Sequence, residues 1–157
     1  MSQASISDYT AYSYEPPRNT QFSVFLDNRV GRLLDLIQVF QGQYMTVAGL
    51  SVVDATDHAV VRVLTSRAVL ARRLLKRHAL PFSEAEVLAV ELGQGKSMAE
   101  LCQALLTAEV NIHYAYPLLV QPRSLPVLAL HTDDILLSVG GINHLPGVFP
   151  IAHVARY

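Results

Sequence analysis

One short stretch gathers the residue types that hold a small charged ligand: Asp27-Asn28-Arg29-Val30-Gly31-Arg32. It lies between a segment of alternating apolar residues and one with helical apolar spacing. A helix N-terminus offers amides without acceptors and the positive end of the macrodipole, a seat for a carboxylate or phosphate. Gly31 has no Cβ, so a ligand or a neighbouring chain can approach the backbone closely. Asn28 both donates and accepts, while Arg29 and Arg32 add positive charge. An ordinary strand-to-helix turn with an Asx cap uses the same residues, and the loop by itself leaves both readings open.

Other candidate chemistry is thinner. Gly95-Lys96-Ser97 suggests a phosphate loop, but the motif needs a Gly five residues before Gly95, where Val90 stands. The six histidines, His58, His78, His113, His131, His144 and His153, include no i, i+4 pair, so no metal is expected. Cys102 falls at core spacing on a helix and is read as packing rather than as a nucleophile. In Asn111 to Tyr116, alternation places Ile112, Tyr114 and Tyr116 on one strand face. Tyr114 and Tyr116 either fill a core edge with their hydroxyls at solvent or line an effector pocket at a module seam. The basic residues Arg67, Arg72, Arg73, Lys76 and Arg77 read as a solvated helix face. The strand Ala59 to Thr65 lacks the clustered aromatics that stack RNA bases.

These residues need positioning by elements. Phe22, Val24 and Leu26 alternate within a strand from Thr20 to Leu26, and Phe25 between them suggests a strand covered on both faces. Asp27-Asn28 reads as a turn and cap. Val30, Leu33, Leu34, Ile37 and Phe40 mark a helix that Gly42 stops. Thr46 to Asp54 and Ala59 to Thr65 form a hairpin. Ser66 is expected to cap a helix that Pro81 ends, and Glu86 to Leu92 is a strand. The order is βαββαβ, the ferredoxin-like pattern.

The pattern then repeats. Leu33, Leu36, Ile37 and Phe40 recur as Met98, Leu101, Cys102 and Leu105 at a constant offset of 65 residues. Val47 maps to Ile112 at the same offset. Beyond a longer turn the offset is 67, and Val63 maps to Leu130 and Thr65 to Thr132. A fixed offset held across helix and strand is the mark of internal duplication. Gly140-Gly141 is expected to truncate the last helix near Val139, with a final strand over Val148 to Ala155.

The chain has 157 residues, 51% apolar and 16% charged, which excludes a largely disordered protein. Its net charge of −1 gives no field to attract nucleic acid or anionic lipid. A single cysteine allows no internal disulfide. The first residues carry neither the basic start nor the apolar core of a secretory signal, and no apolar run is long enough to span a membrane. A soluble, cytoplasmic protein is predicted, with no nucleic acid or membrane partner. The Ser-, Tyr- and Pro-rich residues 1–19 read as a flexible arm whose Tyr9, Tyr12 and Tyr14 alternatively dock on a partner or on the fold.

The strand Phe22-Ser23-Val24-Phe25-Leu26, followed by Asp27-Asn28-x-x-Gly31-Arg32-Leu33 opening a helix, resembles the first motif of the ACT domain family. Leu50 to Asp54 and Ala59 to Val63 are similar to that family's central hairpin, and residues 20–157 resemble the tandem ACT proteins of bacteria. Val30 replaces the family's usual Pro. The second loop, Gly93 to Met98, departs further, since Lys96 stands at the offset position of Gly31. The resemblance implies two ferredoxin-like α+β modules with antiparallel sheets, at 20–85 and 86–157. It implies a non-catalytic regulatory protein, without cofactor, that binds an amino acid or similar effector. The implied ligand residues are Asn28, Arg29, Val30, Gly31 and Arg32, with Tyr114 and Tyr116 from the seam. A homodimer and a partner enzyme are also implied. The alternative is a ligand-free interaction or regulatory subunit of a metabolic enzyme.

Overall fold

A computed structural model of the chain describes residues 18–152 and Val154. Tyr9, Tyr12, Tyr14 and His153 lie outside the described residues. Seven strands and four helices follow in the order β1 (Asn19–Asp27), α1 (Arg32–Phe40), β2 (Val47–Ala55), β3 (His58–Thr65), α2 (Ala68–Arg77), β4 (Phe82–Leu92), α3 (Met98–Thr107), β5 (Ile112–Pro117), β6 (Val127–Thr132), α4 (Ile135–Asn143) and β7 (Val148–Ile151). All strand pairs are antiparallel, in one sheet ordered β2-β3-β1-β4-β6-β5, with β7 also on β4.

Each half has the βαββαβ order, with strands arranged β2-β3-β1-β4 and β5-β6-β4-β7. The two halves share β4. Its residues Phe82 to Val87 pair with β1, and Leu88 to Leu92 pair with β6 and β7. The backbone of β4 therefore runs without a break through residues 85 and 86. Glu86 to Leu92 showed as a strand in sequence because its residues are apolar on both faces. Phe82 to Ala85, more polar and fixed by their register with β1, extend it by four residues.

Alternation sorts the side chains into three cores. Phe22, Val24 and Leu26 meet Leu36 and Phe40 of α1 and Leu75 of α2. Leu88, Val90 and Leu130 meet Leu101 and Leu105 of α3 and Ile142 of α4. The opposite sheet face curls on itself, so that Ala48, Leu64, Val87, Ala89, Tyr116 and Leu118 form a third cluster between the halves. There the Leu119 amide donates to the Ala48 carbonyl at 2.8 Å, and Gly49 bridges Leu118. The duplication is visible in burial. Leu36 and Leu101, Phe40 and Leu105, Val63 and Leu130, and Thr65 and Thr132 are buried at matching positions.

Several local expectations need correction. β1 is covered on both faces only near its start, where Gln21 is fully buried, while Phe25 is 39% exposed. The α2 N-cap is Arg67, because the Ser66 hydroxyl instead accepts from the Thr46 amide at 2.9 Å. α4 continues through Gly140 and Gly141 to Asn143, because packing on α3 outweighs glycine's poor helix propensity. Cys102 is exposed, since the buried stripe of α3 is only Leu101 and Leu105. β7 ends at Ile151. No helix among the described residues is long and apolar enough to cross a membrane.

Candidate functional site

The loop after β1 stands open. Gly31 is the N-cap of α1, with φ +89°, and no side chain bonds to the helix end. A non-glycine residue there would be strained in the left-handed region, although the space around a Cβ is empty. Asp27-Asn28 is not the cap, contrary to the sequence expectation. Asn28 Nδ2 donates to Asp54 Oδ1 at 2.8 Å, tying the loop to the end of β2. Arg29 pairs with Asp27 at 2.6 Å and Arg32 with Asp35 at 3.1 Å. The Arg29 guanidinium holds the Asp27 carboxyl below its ordinary range. Exposed pairs of this kind are weak and open readily to a competing ligand. Val30 is fully exposed.

The corresponding end of α3 is closed by its own side chains. Ser97 and Glu100 form a capping box, with the Ser97 hydroxyl accepting from the Glu100 amide and Glu100 accepting from the Ser97 amide at 2.9 Å. Lys96 Nζ lies 3.2 Å from Glu100 Oε1, and its stem covers Gly147. The Ser97 amide, followed by Lys96, lowers the Glu100 pKa.

Tyr114 and Tyr116 meet at the seam between the halves. Gln21 Nε2 donates to the Tyr114 hydroxyl at 2.8 Å, and the Tyr116 hydroxyl donates to Gln21 Oε1 at 2.8 Å. Burial raises the pKa of Tyr116 above the ordinary phenol range. The Arg62 guanidinium carbon sits 3.7 Å from the centre of the Tyr114 ring, and His131 stacks on Tyr114 at 4.8 Å. Burial, then His113 and Arg62, lower the His131 pKa.

The structure thus brings Tyr114 and Tyr116 together, and groups Asn28 to Arg32 apart from them. Six residue steps of extended strand from Gln21 to Asp27 separate the two clusters by about 20 Å. Sequence reasoning missed Gln21, Arg62 and His131. The available signal was a Gln and an Arg at strand positions whose neighbours are apolar. Among the described residues, no group of three or more His, Cys, Asp or Glu is arranged to hold a metal.

Comparison with known proteins adds a family and a fold. A family model described as an ACT domain pair matches residues 18–137. No curated protein matches the chain. A solved structure of a protein from Bacteroides thetaiotaomicron is similar at TM-score 0.77 and 16% identity, covering 90% of this chain and 99% of that one. The ligand-free regulatory subunit of aspartate kinase from Thermus thermophilus is similar at TM-score 0.56 and 10% identity, covering 82% and 90%. The regulatory subunit of aspartate kinase from Thermus flavus is similar at TM-score 0.54 and 9% identity, covering 82% and 92%.

Proposed function

Because the chain belongs to the family of ACT domain pairs, whose modules are regulatory, we propose that it senses an amino acid at the loop Asn28 to Arg32 and relays its presence to a partner enzyme. The observation that carries this reading is the contrast between two equivalent helix ends. α1 begins at an open Gly31 without a side-chain cap, whereas α3 is closed by Ser97, Glu100 and Lys96. An effector carboxylate at α1 would take the amides near Val30 and Gly31 and the dipole's positive end. Asn28 and Asp54, already bonded, would receive the ammonium group. The family resemblance favours a homodimer and a metabolic enzyme of the cytoplasm as the partner. The Tyr114–Tyr116 pair is read as seam structure that couples the halves, because Gln21 already satisfies both hydroxyls.

The test is melting temperature against the twenty amino acids and common nucleotides. A ligand at a hundred times its dissociation constant adds about 2.7 kcal/mol, several degrees for a chain of this size. Gly31→Asp, which places a carboxylate where the effector's would sit, should abolish the shift in a protein that remains folded. Gly31→Asn has the same shape without the charge and should retain part of it. A shift that survives Gly31→Asp removes the assigned site. The absence of any shift favours the ligand-free interaction subunit, a reading consistent with the open groove of about 810 Å³ between α3 and α4, rimmed by Leu136, Leu137 and Leu145.

A further inference from the structure

The strand register orders the inner face of β1, β3 and β2 into rows. Gln21, Leu64 and Gly49 form the first, buried beneath Tyr116 and Leu118. Ser23, Arg62 and Ser51 form the second, half-buried at the edge of the seam. Phe25, Val60 and Val53 form the third, where the face opens; Phe25 is 39% and Val53 38% exposed. The second half of the chain covers the first row and stops at the second.

Arg62 is unusual in this setting. Among the described residues, the other half-buried arginines, Arg32 and Arg72, each meet a carboxylate and Arg62 does not, while Arg67, Arg73 and Arg77, which also make no ion pair, are exposed. Its flanking residues in the row are two serines, and its guanidinium lies on the Tyr114 ring. Stacking on an aromatic face uses the plane of a guanidinium and leaves its in-plane N–H fork for a carboxylate, which it matches in two parallel bonds. A half-buried cation without a counter-ion favours an anion at that place. Successive rows on one strand face are about 7 Å apart, the reach from a carboxylate to the body of a branched or aromatic acid.

We propose that this open end of the inner sheet face, with Arg62, Ser23 and Ser51 at its head and Phe25, Val60 and Val53 as its platform, binds a small carboxylic acid with an apolar body. The head of the site at Ser23 lies about 13 Å of extended strand from Asp27 and its platform residue Phe25 about 7 Å, on the sheet face rather than in the loop at Gly31. It extends the proposed function without resting on it. The fork fixes the carboxylate, the serines hydrogen-bond it, and the apolar row selects a branched or aromatic side group over a polar one.

The experiment uses the full chain and phenylacetate as the probe, read by NMR of the Val53 and Val60 methyl groups and by calorimetric titration. Acetate and 2-phenylethanol supply the head and the body separately. Phenylacetate should move both methyl groups and bind more tightly than either fragment. Arg62→Met and Phe25→Ser should each weaken it by about tenfold, and Gly31→Asp should leave it unchanged. Phe25 is surface-exposed, so its variant tests the site even if Arg62→Met disturbs the seam. The inference falls if millimolar phenylacetate moves neither methyl group, or if both variants bind it as the parent does. Binding lost in Gly31→Asp but kept in the Arg62 and Phe25 variants would place the probe at the loop, overturning this site and leaving the proposed function standing.

Discussion

Gln21 shows how one residue can decide a seam. Its amide oxygen and nitrogen are committed to the hydroxyls of Tyr116 and Tyr114 inside an otherwise apolar cluster. Gln21→Leu removes both partners at once, orphaning the buried Tyr116 hydroxyl and unpairing the half-buried Tyr114 hydroxyl. A buried orphaned group costs about 1–3 kcal/mol, so urea unfolding should show a loss of at least that size. Restoring apolar match with Tyr116→Phe in the same chain should recover part of it. No reading of β1 alone reveals this pairing, because its partners lie 93 and 95 residues away in sequence. The strand-to-helix junction at Gly31 was legible for the opposite reason, since its residue types and neighbouring elements are local, although its cap is Gly31 rather than Asp27-Asn28. His131 carries a pH prediction. Burial first, then His113 and Arg62, hold its folded pKa below the ordinary value of 6.5. As pH falls through 6.5 the unfolded chain takes up a proton before the folded one, so stability drops on acidification and is regained on the alkaline side. Ring-proton NMR should find His131 titrating below 6.5. Arg62→Met, which removes the last of the three causes, should raise it only slightly.

Elements were more legible than their ends. Hydrophobic period separates strands from helices along most of the chain, since each element buries one stripe against the sheet. The ends depend on contacts that period does not carry. The Ser66 hydroxyl turns to Thr46 rather than to its own helix, and β4 gains Phe82 to Ala85 from the register of β1. α4 is the clearest case. Gly140 and Gly141 read as a stop, yet the helix passes through both because Gly141 lies against α3. A Cβ at Gly141 would sit 3.0 Å from Ala108 Cβ and 3.1 Å from the Ala104 carbonyl, whereas one at Gly140 meets nothing within 4 Å. Adjacent glycines should therefore respond with opposite sign. Gly140→Ala relieves the entropic cost of helical glycine and should stabilise by about 0.5–1 kcal/mol. Gly141→Leu forces α3 and α4 apart and should destabilise by about 1–3 kcal/mol. Thermal unfolding of the two single variants measures both, and equal effects would contradict the close helix approach.

At the scale of the whole molecule, the shared strand decides how the halves behave. β4 gives its first six residues to one half and its last five to the other, and Val87 and Ala89 are buried in the cluster between them. Unfolding either half removes the pairing partners of β4 and exposes that cluster. One cooperative transition is therefore expected, with equal calorimetric and van't Hoff enthalpies. Leu101→Ala tests this from a distance. Its side chain is fully buried under α3, and its truncation should cost about 2–5 kcal/mol. The amides of Val24 and Leu36, in the other half, should lose the same protection against hydrogen exchange as those of Leu88 and Leu130. Loss confined to the second half would mean that the halves open separately despite the shared strand. Common loss would give an effector at Gly31 a route to the far helices, because a ligand that stabilises the first half then stabilises α3, α4 and the groove between them by the same free energy.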